Sequence, residues 1–127
     1  MSLLLGSLLA GLILADSLPG GSTTRTEGER AYQKCYSCHA IEPGRHDLTG
    51  PSLHGIFDRR VASVQGYDYS PALRRFAARN PRWTRALVDR YAADPDRLVP
   101  GTSMDFHGMR DHRERRALID YLARLGG

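Results

Sequence analysis

Cysteine is scarce in this chain: Cys35 and Cys38 are the only two among 127 residues. A structural zinc centre wants four nitrogen or sulfur ligands, and no second cysteine pair exists to complete one. His107 and His112 stand five apart, but across a loop and a predicted helix cap. Lysine is scarcer still. Lys34 is alone, and arginine supplies the rest of the positive charge. Eighteen basic against fourteen acidic residues leave a formal charge of +4. That balance mildly favours acidic partners and falls far short of a dedicated nucleic-acid binder, so no nucleic acid is expected. No apolar run reaches the about 18 residues of a spanning helix. Internal repeats, long like-charge blocks and convincing strand patterns are also missing.

What is present begins with an apolar N-terminus, MSLLLGSLLAGLILADS, uncharged from Leu3 to Ala15. Its length and its Gly and Ser residues suit the apolar section of a secretory signal over 1–17, with a cut after Ser17 or Ala15. It lacks the usual positive n-region, so either the true start lies upstream or the segment stays as a short anchor. A buried helix fits less well, because the run is apolar on every face. Residues 18–25 are small and polar and read as a linker. The folded domain is expected over 26–127, with no membrane span unless the leader stays.

The fold class expected is all-α, with three to four short helices and long loops. Thr26 and Glu29 form a capping-box pattern opening a helix to about Lys34. Ser70-Pro71 starts a second helix running to about Ala78. Thr84 caps a third, with Leu87, Val88, Tyr91 and Ala92 on one face, stopped at Asp94-Pro95. Residues 96–108 read as loop. Asp111 and Glu114 form a second capping-box pair ahead of a helix whose apolar face is Ala117, Leu118, Tyr121, Leu122 and Leu125, ended by Gly126. Loops this long are uncommon in a small domain unless something other than chain packs them. A large apolar prosthetic group would fill that thin core.

Both cysteines fall in CYSCH, residues 35–39. A thioredoxin-like redox pair would need a strand–helix context, which the flanks lack. Zinc would have to accept adjacent ligands, which strain a tetrahedron. The third reading is covalent haem attachment, of which Cys-x-x-Cys-His is the signature. Each thiol adds to a vinyl group to give a thioether, and the histidine lies under the iron. A second axial ligand is then wanted. Met104, in the loop VPGTSMDF, is the leading candidate, with His107 and Met109 as rivals. His46 and His54 read as loop histidines.

Taken together, GERAYQKCYSCH, TGPSLHGIFDRR, GYDYS, the lone Trp83, YAADPDRLVPGTSMDF and ERRALIDYL resemble the class I c-type cytochromes, in particular mitochondrial-type cytochromes c and their bacterial periplasmic relatives. The resemblance runs from about Gly28 to Leu125. It implies one haem c, attached through Cys35 and Cys38, with His39 and Met104 as axial ligands. Pro51 matches the proline whose carbonyl orients the ligand imidazole, and Tyr91 the tyrosine near the methionine sulfur. Arg59, Tyr69, Trp83 and Thr102 match groups around a buried haem propionate. Gly28 and Tyr32 of the first helix should meet Leu118 and Tyr121 of the last.

The resemblance implies an exported, periplasmic, monomeric electron carrier rather than an enzyme. Its redox partners would be a quinol–cytochrome c reductase, a terminal oxidase or a periplasmic dehydrogenase. The alternatives are a dedicated cytochrome subunit of such a dehydrogenase and an open-site haem protein binding a gas or peroxide. Two departures stand out. SPALRRFAARNPRW, residues 70–83, is longer and more arginine-rich than in the mitochondrial proteins. The lysine ring around the haem edge is thin: Lys34 keeps its place, Arg97 substitutes for one member, and Asp96 and Ser103 stand where lysines belong.

Overall fold

The computed structural model describes residues 25–126. The leader expected over 1–17, and all of the linker except Arg25, lie outside them. Five helices follow in order: α1 (Glu27–Tyr32), α2 (Pro71–Arg79), α3 (Arg85–Ala93), α4 (Pro95–Leu98) and α5 (His112–Leu125). Among the described residues the only strand-like pairing is an isolated bridge between Arg60 and Arg82. The all-α expectation holds.

Each helix starts on a side chain that satisfies an otherwise orphaned N–H. Thr26 and Glu29 close a full capping box on α1. Ser70, Thr84 and Asp111 cap α2, α3 and α5. Two expectations need correction. Asp94-Pro95, read as a stop, is also a start: the Asp94 carboxylate accepts from Arg97 N at 3.1 Å, and Pro95 opens the single turn of α4. Proline suits a first helical position because its missing N–H would be orphaned anyway. The predicted box at α5 is not closed. Asp111 accepts from Arg113 N, while Glu114 turns away to meet Lys34 Nζ at 2.7 Å.

The first and last helices cross where Gly28 lacks a side chain. A Cβ on Gly28 would stand 2.5 Å from Tyr121 Cβ and 2.8 Å from the Ala117 carbonyl. Tyr32 and Tyr121 stack beside the crossing, ring centroids 5.8 Å apart. The core is a thin shell of Ile56, Val61, Leu73, Phe76, Val99, Met109, Leu118 and Leu122 with the buried aromatics. Arg115, its side chain only 12% exposed, ties the last loop down. It pairs with Asp89 of α3 at 2.8 Å and donates to the carbonyls of Met109 and Arg110.

In the long loop from Ala40 to Tyr69, side chains pair several backbone polar groups. Ser52, wholly buried, donates to the Glu42 carbonyl at 2.6 Å and accepts from His54 N at 3.1 Å. His46 Nδ1 accepts from Ser52 N at 3.0 Å. Turns at Asp58 and Ala62 take positive φ, 68° and 54°.

Candidate functional site

The helices and loops enclose a cavity of about 320 Å³. Its first wall is CYSCH. The chain leaves α1 in hydrogen-bonded turns: Cys35 N to the Tyr32 carbonyl, Cys38 N and His39 N to the Cys35 carbonyl, at 2.8, 3.1 and 2.9 Å. Helical spacing of i, i+3 and i+4 brings Cys35, Cys38 and His39 to one face. All three line the cavity.

His39 is held from two sides. Its Nδ1 lies 2.8 Å from the Pro51 carbonyl, and its own carbonyl accepts from Tyr32 Oη at 2.6 Å. A carbonyl only accepts, so Nδ1 carries the proton and Nε2 keeps its lone pair. Burial lowers the pKa of His39, the Pro51 bond opposing, so the imidazole is held neutral. Gly50 closes the arrangement from behind. A Cβ there would overlap the imidazole ring.

Met104 lines the same cavity from the loop after α4. Its N–H donates to Thr102 Oγ1 at 3.3 Å, and the Thr102 hydroxyl is 2.5 Å from Tyr91 Oη. Burial raises the pKa of Tyr91, the Thr102 bond opposing, so the phenol stays protonated. Met109 is 1% exposed inside the core, His107 is exposed, and neither lines the cavity. His46 and His54 do not line it either.

All ten residues singled out in the sequence, Cys35, Cys38, His39, Pro51, Arg59, Tyr69, Trp83, Tyr91, Thr102 and Met104, border this one cavity. Arg59 does not pair with Asp58. Its guanidinium donates to the carbonyls of Ser52, at 2.7 Å, and His54. Tyr69 Oη accepts from Val64 N at 3.1 Å. The Trp83 ring packs 5.3 Å from Tyr91 and 6.3 Å from Phe76. Sequence reasoning missed Tyr67, whose ring lies 4.6 Å from Tyr69 and whose hydroxyl donates to the Thr49 carbonyl at 2.5 Å. It also missed Gly50, although the run Thr49-Gly50-Pro51 carried the signal.

The other chemistries lose their footing. Among the described residues no group of three or more His, Cys, Asp or Glu is placed to hold a metal ion. Burial, followed by the nearby Cys38, pushes the Cys35 thiol up to about 11, the reverse of an activated redox cysteine.

Comparison with known proteins decides the family. The chain is 34% identical over 117 residues to cytochrome c2 of Blastochloris viridis, covering 91% of this chain and 90% of that protein. This chain is a class I c-type cytochrome. Its fold matches that of cytochrome c2 from Rhodospirillum centenum with a TM-score of 0.73 at 26% identity, over 80% of this chain and 97% of that one. Cytochrome cH from Methylobacterium extorquens matches with a TM-score of 0.68 at 31% identity, over 77% and 95%. No family model matches. The cytochrome is thus a monohaem electron carrier and not an enzyme, and it carries one covalently attached haem c. It exchanges electrons with redox-protein partners.

The residues present fit that group. The cavity offers two thiols, a neutral imidazole and a thioether. Leu53, Ile56, Leu73, Leu118 and Leu122 give it an apolar wall. Arg59, Tyr69 and Trp83, residue types that can donate hydrogen bonds, line it too, and a buried carboxylate needs such donors to stay ionised.

Proposed function

We propose that the cytochrome is exported to the periplasm and shuttles single electrons there, with Cys35 and Cys38 as the thioether sites and His39 and Met104 as the axial ligands. One observation carries this reading: CYSCH and Met104, far apart in sequence, line the same cavity. The uncharged N-terminal run supports export, with the leader cut rather than kept as an anchor.

When bound, haem supplies a reversible one-electron iron couple whose potential a methionine ligand raises. The residues do the rest. His39 offers Nε2 while its Nδ1–H stays on Pro51, which fixes the ring and makes the nitrogen a better donor. Thr102 and Tyr91 steady the Met104 loop. Arg59, Tyr69 and Trp83 would keep a haem propionate ionised away from bulk water. If His39 and Met104 both held the iron, no coordination position would be left for a gas or peroxide, and the carbon monoxide test below separates this reading from the open-site one. The partners are a quinol–cytochrome c reductase, a terminal oxidase or a periplasmic dehydrogenase.

The test is a visible spectrum of the oxidised and reduced protein, made in a host with haem-maturation machinery. The expected result is low-spin haem with a weak far-red sulfur–iron band. That band should vanish in Met104→Ala and survive in His107→Ala. Ferrous wild type should refuse carbon monoxide, and Met104→Ala should bind it. A wild-type spectrum without the band overturns the Met104 assignment. Haem protein confined to the cytoplasm after cell fractionation overturns export.

A further inference from the structure

His46 reads from the sequence as a loop histidine, and it does not line the haem cavity. Its ring nevertheless lies one peptide group away from the ring of His39. His46 Nδ1 accepts from Ser52 N at 3.0 Å. The Pro51 carbonyl accepts from His39 Nδ1 at 2.8 Å. That N–H and that carbonyl are the two ends of a single amide, the Pro51–Ser52 peptide. The bond is trans, as throughout the described residues, so its C=O and N–H point to opposite sides. One imidazole therefore sits at each end of the same amide dipole.

The two rings hold opposite tautomers. An amide N–H only donates, so His46 Nδ1 carries a free lone pair. A carbonyl only accepts, so His39 Nδ1 carries a proton. Polarisation runs along this line. A partner on the Ser52 N–H pushes electron density towards the Pro51 oxygen, which becomes a stronger acceptor. A stronger acceptor draws harder on the His39 Nδ1 proton and makes Nε2 a better donor.

The amide is not free to turn elsewhere. Ser52 is wholly buried, and its remaining polar groups are engaged. The hydroxyl donates to the Glu42 carbonyl and accepts from His54 N, and the Ser52 carbonyl accepts from Arg59 at 2.7 Å. Among the described residues, His46 is the one acceptor for the Ser52 N–H.

We propose that His46 is a positioning residue for the axial imidazole: acting through the Pro51–Ser52 amide, it strengthens donation from His39 Nε2 and sets the haem reduction potential lower than Pro51 alone would. A stronger nitrogen donor favours the ferric state. A merely structural His46 predicts the opposite sign. Its loss would loosen the loop and admit water beside the haem, and water also favours the more charged ferric ion. The inference rests on His39 as an axial ligand.

The test is proton NMR and potentiometry of the holoprotein in wild type and four variants. His46→Leu offers no acceptor. His46→Gln carries its oxygen past the Nδ1 position and repeats the comparison with a polar side chain, should the leucine variant fail to fold. His46→Asn keeps an oxygen near the place of Nδ1. Ser52→Ala removes the buried hydroxyl but keeps the amide. In the ferric wild type the His39 Nδ1–H resonance should carry a large paramagnetic shift. In His46→Leu and His46→Gln that resonance should move and the potential should rise, making the ferrous-to-ferric ratio at a fixed applied potential about twofold larger. His46→Asn should return both towards wild type, and Ser52→Ala should not raise the potential. An unchanged or lowered potential in the leucine and glutamine variants overturns the proposal. So does an equal rise in Ser52→Ala, or no recovery in His46→Asn. A His39 ring proton without paramagnetic shift in the wild type overturns the axial-ligand reading and this inference with it.

Discussion

Gly50 lies against the imidazole of His39 so closely that a methyl group at Gly50 would overlap the ring, while Gly50 N donates to the Cys38 carbonyl at 2.7 Å. The ring is therefore clamped between bare backbone on one side and the Pro51 carbonyl on its edge.

Gly50→Ala should push the ring off Pro51. Overpacking of this kind costs about 1–3 kcal/mol. Denaturant unfolding of the holoprotein measures the loss, and the spectrum should show a perturbed haem. A variant with wild-type stability and spectrum means that the close approach is not needed.

Tyr91 and Thr102 should behave as a coupled pair. Tyr91→Phe removes one hydrogen bond and costs about 1 kcal/mol. Thr102→Val costs more, because its hydroxyl also accepts from Met104 N. The double variant should cost less than the two singles added, by about 1 kcal/mol. The far-red band should be lost at lower temperature in Thr102→Val than in Tyr91→Phe. Strict additivity in a denaturant cycle would break the link between the two hydroxyls.

Arg59 is a test of geometry rather than charge. Its planar fork reaches two carbonyls, of Ser52 and His54. Lysine keeps the charge but not the fork. Arg59→Lys should destabilise by about 1–2 kcal/mol in denaturant unfolding, with faster amide exchange across 52–59. Equal stability would reduce Arg59 to a charge.

Glu29 sets an acid-side signature. The Thr26 backbone N–H at the helix cap, followed by its hydroxyl, lowers the carboxyl pKa below its ordinary value. A carboxylate with a depressed folded pKa stabilises the fold above its unfolded pKa and loses that contribution as pH falls through the folded value. Glu29→Gln should therefore melt below wild type at pH 7, and the gap should close in acid. A gap that persists unchanged below about pH 3 would contradict the cap.

Much of the site was legible because its groups are chemically conspicuous. Two cysteines, a histidine, a methionine in a Pro-Gly loop and a lone tryptophan do not blend into an apolar pattern. The helices were legible through caps and periodicity, with α4 the exception. Asp94 and Pro95 carry the same signals whether they end one helix or begin another, and only the backbone shows that they do both. Ser52, Arg115 and Arg59 were harder still. Each acts on main-chain carbonyls or amides of residues some distance along the chain, and a main-chain group has no letter in a sequence. Glu114 was assigned to its own helix because its partner Lys34 lies 80 residues away. Met104 led His107 and Met109 on its Pro-Gly loop context, and of the three only Met104 lines the cavity.

The crossing of α1 and α5 at Gly28 and Tyr121 has a kinetic consequence. It closes a chain segment of roughly 90 residues, and the entropy of that closure must be met before the contact returns anything. During vectorial synthesis, α1 is made before α5 and has no partner until the last turns of α5 follow it. Ribosomes deliver chain at about 5–20 residues per second, so the amino-terminal third waits seconds with its cysteines uncovered. The core closes only when the carboxy-terminal helix arrives.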